Sequence, residues 1–121
     1  KFGVAASSLV PSSNSEATTI YASIVGSSLI SDPGTSSFDL SCSSANEGES
    51  NFTFILIPEP FGTLKSVVQN NSTDVTADFS LVGSSTFSPT VSTGISVAYY
   101  IYKTNDPGAF NDGNTLTITL N

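Results

Sequence analysis

The chain has no histidine, arginine, tryptophan or methionine, and only three lysines and one cysteine among its 121 residues. Each absence excludes a class of chemistry. Without histidine there is no Ser-His or Cys-His nucleophile pair and none of the usual zinc ligand sets. Without arginine there is no bidentate clamp for a carboxylate or phosphate. Ten acidic residues against three lysines give a net charge of −7. That balance excludes a nucleic-acid binder, which must displace phosphate counterions with cations. An anionic membrane surface would repel such a chain as well. No apolar run approaches the ~18 residues of a membrane span. Cys42 has no second cysteine to pair with. It shares a face with Phe38 and Leu40 and reads as a small buried hydrophobe. No dinucleotide fingerprint, phosphate-binding loop or nucleophile-elbow pattern occurs.

What is present is hydroxyl. The sequence holds 23 Ser and 14 Thr, while charged residues make up only 11%, against roughly 25% in ordinary soluble domains. A surface wetted by hydroxyls and nearly free of Lys and Arg suits a secreted or surface-displayed protein that must resist proteases. The chain opens on Lys1, with no charged-then-apolar leader, as if a signal peptide had already been removed. Its length fits one domain with one core.

Strand signals dominate. Segments 18–25, 36–42, 51–57, 64–68, 75–82, 95–103 and 114–120 alternate in polarity or run apolar. In the segment 75–82, Val75, Ala77, Phe79 and Leu81 are expected on one face. Leu116, Ile118 and Leu120 alternate with Thr115, Thr117 and Thr119. Phe52, Phe54 and Leu56 alternate with Thr53, Ile55 and Ile57, so that strand is expected to be buried on both faces. Ile95, Val97, Tyr99 and Ile101 form a predicted inward set, opposite Ser96, Ala98, Tyr100 and Tyr102. Turn signals separate the strands: Asp32-Pro-Gly, Asn46-Glu-Gly, Pro58-Glu-Pro, Asn70-Asn71-Ser72, Ser88-Pro89 and Asp106-Pro-Gly. No helical periodicity extends over three turns. Spacing of about 8–12 residues between strands predicts an all-β antiparallel sandwich.

Few residues invite a chemical role. Glu47, Glu49, Glu59, Asp106 and Asp112 are enough carboxylates for a glycosidase pair, but all sit at turns where carboxylates are simply solvated. The loop 105–114 offers hard oxygens for calcium, without EF-hand spacing, and reads as a plain hairpin turn. We therefore expect no enzyme, no cofactor and no metal. Tyr100 and Tyr102 suit either sugar stacking or cross-strand packing. Three sequons, at Asn51, Asn70 and Asn71, are candidate N-glycan acceptors.

The stretches Ser36-Ser-Phe-Asp-Leu-Ser-Cys42, Phe52-Thr-Phe-Ile-Leu56, Val97-Ala-Tyr-Tyr-Ile-Tyr102 and Pro107-Gly-Ala-Phe-Asn-Asp112, followed by the terminal alternating run Thr115 to Asn121, resemble subunits of chaperone–usher fimbriae, including the spore-coat-U-type group. Archaeal strand-donating surface filaments, with N-glycosylated subunits, are similar. The resemblance implies an immunoglobulin-like sandwich completed by a strand donated from the next subunit. It divides the chain into an N-terminal extension, 1–16, and a sandwich domain, 17–121. Carried over, Phe2, Val4, Ala6, Ser8 and Val10 become the donor-strand residues. The implied function is a structural subunit of an extracellular pilus- or fimbria-like filament, whose partners are identical subunits in a head-to-tail polymer. The alternative is a carbohydrate-binding sandwich module of a surface protein; a viral coat or cell-wall domain comes third.

Overall fold

A computed structural model describes residues 1–24, 30–42, 50–110 and 113–121. The end of the expected strand 18–25, the Asn46-Glu-Gly turn, the carboxylates of Glu47 and Glu49, and Asn111 and Asp112 lie outside the described residues.

Among the described residues, ten strands and one α-helix follow in the order β1 (Gly3–Ser7), α1 (Asn14–Ala22), β2 (Ser37–Ser41), β3 (Phe52–Pro58), β4 (Leu64–Gln69), β5 (Thr73–Asp74), β6 (Phe79–Leu81), β7 (Thr90–Ser92), β8 (Ile95–Ser96), β9 (Tyr99–Thr104) and β10 (Thr115–Leu120). One sheet has the order β1-β3-β9-β6, a second β2-β10-β4-β5, and β7-β8 forms a separate hairpin. Among the described residues every strand pairing is antiparallel. The fold is an all-β sandwich, as the strand pattern predicts. Among the described residues, no helix is long and apolar enough to cross a membrane.

The alternating strands explain the second sheet. Leu116, Ile118 and Leu120 of β10 and Phe38 and Leu40 of β2 turn inward. Their polar neighbours face water, where the Thr117 hydroxyl donates to Asp39 at 2.6 Å. The first sheet is different, because β3 is apolar at both parities. Ile55 and Ile57 point into the sandwich core with Phe2, Val4 and Tyr102. Phe54 and Leu56 point the other way, with Ala5, Tyr99 and Ile101. That second face needs cover, and α1 supplies it through Ala17 and Ile20, both fully buried. Val91 and Val97, flanking the β7-β8 hairpin turn, pack at its margin. The molecule thus has three layers, with the β1-β3-β9-β6 sheet in the middle.

Three expectations are corrected. Segment 18–25 is not a strand; its described part belongs mostly to α1. Ser13 caps this helix, its hydroxyl accepting from the Glu16 amide at 3.1 Å. The Glu16 carboxylate turns back to accept from the Ser12 amide and hydroxyl at 2.9 and 2.7 Å. These bonds hold the Glu16 carboxyl below its usual range, so they support the helix above that range and are lost as pH falls through the lowered value. Replacing Ser13 by alanine is expected to cost about 1 kcal/mol, read as a lowered urea midpoint.

The segment 75–82 is not one continuous strand. Asp74 accepts from the Thr76 amide and hydroxyl at 3.0 and 2.7 Å. This local bonding competes with the ladder and sets a 3-10 turn over Thr76–Asp78. Val75 and Phe79 stay buried, while Ala77 is exposed and Leu81 is 37% exposed. The segment 95–103 is also broken. It divides into β8 and β9, and Ile95 is 54% exposed on the hairpin rather than inward. Gly94, at φ +74°, makes the turn into β8.

Candidate functional site

The feature with the clearest physical character is the N-terminal strand. β1 pairs along its whole length with β3, Val4 opposite Ile55 and Ala6 opposite Thr53. On its other edge it meets the chain at two isolated bridges, Phe2 with Ile30 and Ala5 with Ile24. The Phe2 amide donates to the Ile30 carbonyl at 2.8 Å and the return bond is 3.1 Å. The Phe2 ring lies 4.9 Å from that of Phe38 and 4.7 Å from that of Phe61. The Tyr99 hydroxyl donates to the carbonyl of Lys1. Gly3 lets Ile24 approach closely: a Cβ there would lie 2.6 Å from Ile24 Cγ2, so a larger residue would have to displace that side chain.

Of the five residues assigned to a donor strand, Phe2 and Val4 are buried between the sheets and Ala6 is half-buried. Ser8 and Val10 lie beyond the strand and are exposed, so the shared face stops at Ala6. Ala5, on the opposite face and covered by α1, is buried too. In this structure the strand beside β3 on that edge comes from the same chain and pairs with Phe52 to Leu56. The boundary expected between residues 16 and 17 falls inside α1. A strand tethered to its own groove outcompetes one from a dilute second molecule, because its effective concentration is far higher.

The aromatic cluster is structural. Tyr102 is buried and its hydroxyl accepts from the Leu64 amide at 3.1 Å. Tyr100 is half-buried against the same core. Tyr99 is fully buried on the α1 side, 5.7 Å from the ring of Tyr21, and burial pushes its phenol well up.

In the polar loop 105–114 the carboxamides of Asn105 and Asn114 are tied to the fold. Asn105 accepts from the Ser80 hydroxyl at 2.9 Å and donates to the Ala77 carbonyl at 3.1 Å. Asn114 Oδ1 accepts from Gln69 and Asn70 at 3.1 and 3.0 Å. Among the described residues, no three His, Cys, Asp or Glu side chains group closely enough to hold a metal ion. Glu59 and Asp106 are exposed at turns. Cys42 is buried, and desolvation pushes its thiol up to about 11.

That shift has two consequences. At pH 8 the native thiolate is scarcer by about two orders of magnitude than for a thiol at the ordinary 9.0. Iodoacetamide labelling is therefore expected to be roughly a hundredfold slower in native protein than in denaturant. Between about pH 9 and 11 the unfolded thiol loses its proton while the folded one keeps it, so stability falls as pH rises through that window.

A polar groove lies between α1 and the β7-β8 hairpin. It measures about 570 Å³ and is lined by Asn14, Ser15, Thr18, Thr19, Ser88, Thr90 and Ser96. Two bonds cross it: the Ser88 amide donates to Asn14 Oδ1 and the Thr90 amide to the Thr18 hydroxyl, both at 2.9 Å. Nothing in the sequence reading marked this groove, since residues 14–16 read there as linker and residues 18–25 as a strand. Of the three sequons, Asn51 precedes β3, while Asn70 and Asn71 occupy the three-residue turn joining β4 to β5. Comparison of the chain with protein-family models, curated proteins and solved structures finds no match in any of the three.

Proposed function

We propose that this domain is a structural, non-catalytic subunit of an extracellular filament, joined to identical copies by exchange of β1. The observation that carries the reading is the character of β1. A five-residue strand on the outer side of its sheet, with Phe2 just before it, puts Phe2 and Val4 into the sandwich core and Ala5 under α1. A coil of residues 8–13 connects it to α1. Six extended residues reach about 20 Å, enough to carry β1 away from its own groove. The same strand in a neighbour's groove keeps every contact except the geometry of that coil. This makes exchange a low-cost route to assembly, and head-to-tail repetition gives an open fibre. The hydroxyl-rich, lysine-poor surface suits an extracellular setting. Concentrated protein should form SDS-resistant multimers, visible as fibres by negative-stain microscopy, and should lose them on Phe2→Ala. A protein that stays monomeric at every concentration contradicts the reading.

The groove beside α1 favours a second reading, a carbohydrate-binding module. Its lining is neutral and rich in hydroxyls, which suits a polyhydroxylated ligand, and its size lies within the usual range for ligand sites. This reading requires polysaccharide retention that Thr19→Val and Ser96→Val abolish without loss of stability.

A further inference from the structure

We propose that Asn71, alone among the three sequon asparagines, is the residue of this chain that carries an N-linked glycan. The proposal rests on the extracellular reading, because only an exported chain meets the glycan donor. The three candidates are alike in sequence and different in structure. Asn51 is half-buried. Its carbonyl accepts from Gly108 at 2.7 Å. The hydroxyl its sequon depends on, that of Thr53, belongs to a residue only 4% exposed and donates to the Phe110 carbonyl.

The Asn70 carboxamide is used at both ends. Its Nδ2 donates to Asn114 at 3.0 Å and its Oδ1 accepts from the Thr115 amide at 2.9 Å. These bonds tie the β4–β5 turn to the start of β10, and modification at Nδ2 would disturb them. Asn71 sits next to it at φ 58°, and like Asn70 at φ 51° it adopts a left-handed conformation that asparagine tolerates. It is exposed, and so are Ser72 and Thr73. No hydrogen bond holds its side chain among the described residues.

The chemistry is a substitution at carbon. Asn71 Nδ2 attacks the anomeric carbon of an oligosaccharide carried on a lipid pyrophosphate. The N–C bond forms, the C–O bond to phosphate breaks, the amide nitrogen loses one proton, and the lipid pyrophosphate leaves.

The overlap of the two sequons gives a test that touches neither asparagine. Thr73→Ala destroys the Asn71 sequon and keeps Asn70-Asn71-Ser72. Ser72→Ala destroys the Asn70 sequon and keeps Asn71 followed by Thr73. The full chain is secreted behind a signal peptide by an N-glycosylating eukaryotic host, with intact mass measured before and after peptide-N-glycosidase treatment. One glycan is expected on the parent and on Ser72→Ala, and none on Thr73→Ala. A glycan that survives Thr73→Ala, or a parent chain left bare while a co-secreted control is glycosylated, overturns the assignment. Assembly is measured separately on unglycosylated chain, so failure of the filament reading and failure of this site are distinguishable.

Discussion

Removing residues 1–7 is expected to unfold the domain, and adding a synthetic peptide of residues 1–8 is expected to refold it. The truncation strips Phe2 and Val4 from the core between the sheets and Ala5 from the layer under α1. Loss of a buried phenylalanine side chain alone costs about 3–5 kcal/mol. With the second buried side chain and the five-residue ladder to β3, the loss rivals the whole stability of an ordinary domain, about 5–15 kcal/mol. The peptide should restore a cooperative thermal transition in proportion to its concentration, since ligand that binds only the folded form stabilises it by mass action. The same peptide with Phe2→Asp should not, because it brings an unpaired carboxylate to a fully buried site. A truncated chain as stable as the parent would contradict the assignment of β1 as a core element.

The second large effect is expected at Ile20. This side chain is fully buried on α1, in the cluster that covers Phe54, Leu56, Tyr99 and Ile101. Ile20→Asp places a carboxyl in that buried apolar cluster. The loss is expected to exceed about 4 kcal/mol, the range reserved for buried unpaired charge and lost core packing. Thr19→Asp, one residue away and exposed, should change stability by less than about 0.5 kcal/mol. Urea titration of the two variants reads the difference directly. If both variants behave alike, α1 does not cover the sheet and the three-layer arrangement is wrong.

The legible parts of the fold were those where one chain property set the outcome. Alternation in β10 and β2 reports a strand with one dry and one wet face, and both occur as read. β3 was readable as doubly buried because its apolar residues fill both parities. What covers its second face was not readable. Ser13 and Glu16 carry a helix-start signature, yet Thr18, Thr19 and Ile20 are β-branched and favour extended chain by propensity. Burial of Ala17 and Ile20 against the sheet, a contact between distant parts of the chain, decides for the helix. The break at Thr76 depends on a single bonded pair, Asp74 and Thr76, which outweighed a regular apolar alternation.

The candidate site divides in the same way. An apolar alternating run near the N-terminus was visible at Phe2 and Val4. Its partner was not, because the same side chains serve equally for a groove in their own molecule or in another. Tyr100 and Tyr102 stayed open between packing and stacking until the position of β9 between β3 and β6 turned them into the core. The groove beside α1 depends on the helix and was hidden with it.

Exchange of β1 between molecules is tested most directly by a disulfide that records which chain the strand belongs to. Ala6 and Thr53 stand opposite each other across β1 and β3, so Ala6→Cys with Thr53→Cys, in a Cys42→Ser background, locks the strand where it lies. Oxidation of concentrated protein should join separate molecules into a covalent ladder on a non-reducing gel, collapsing to one band on reduction. A single band of internally closed monomers at every concentration would show that β1 never leaves its own subunit.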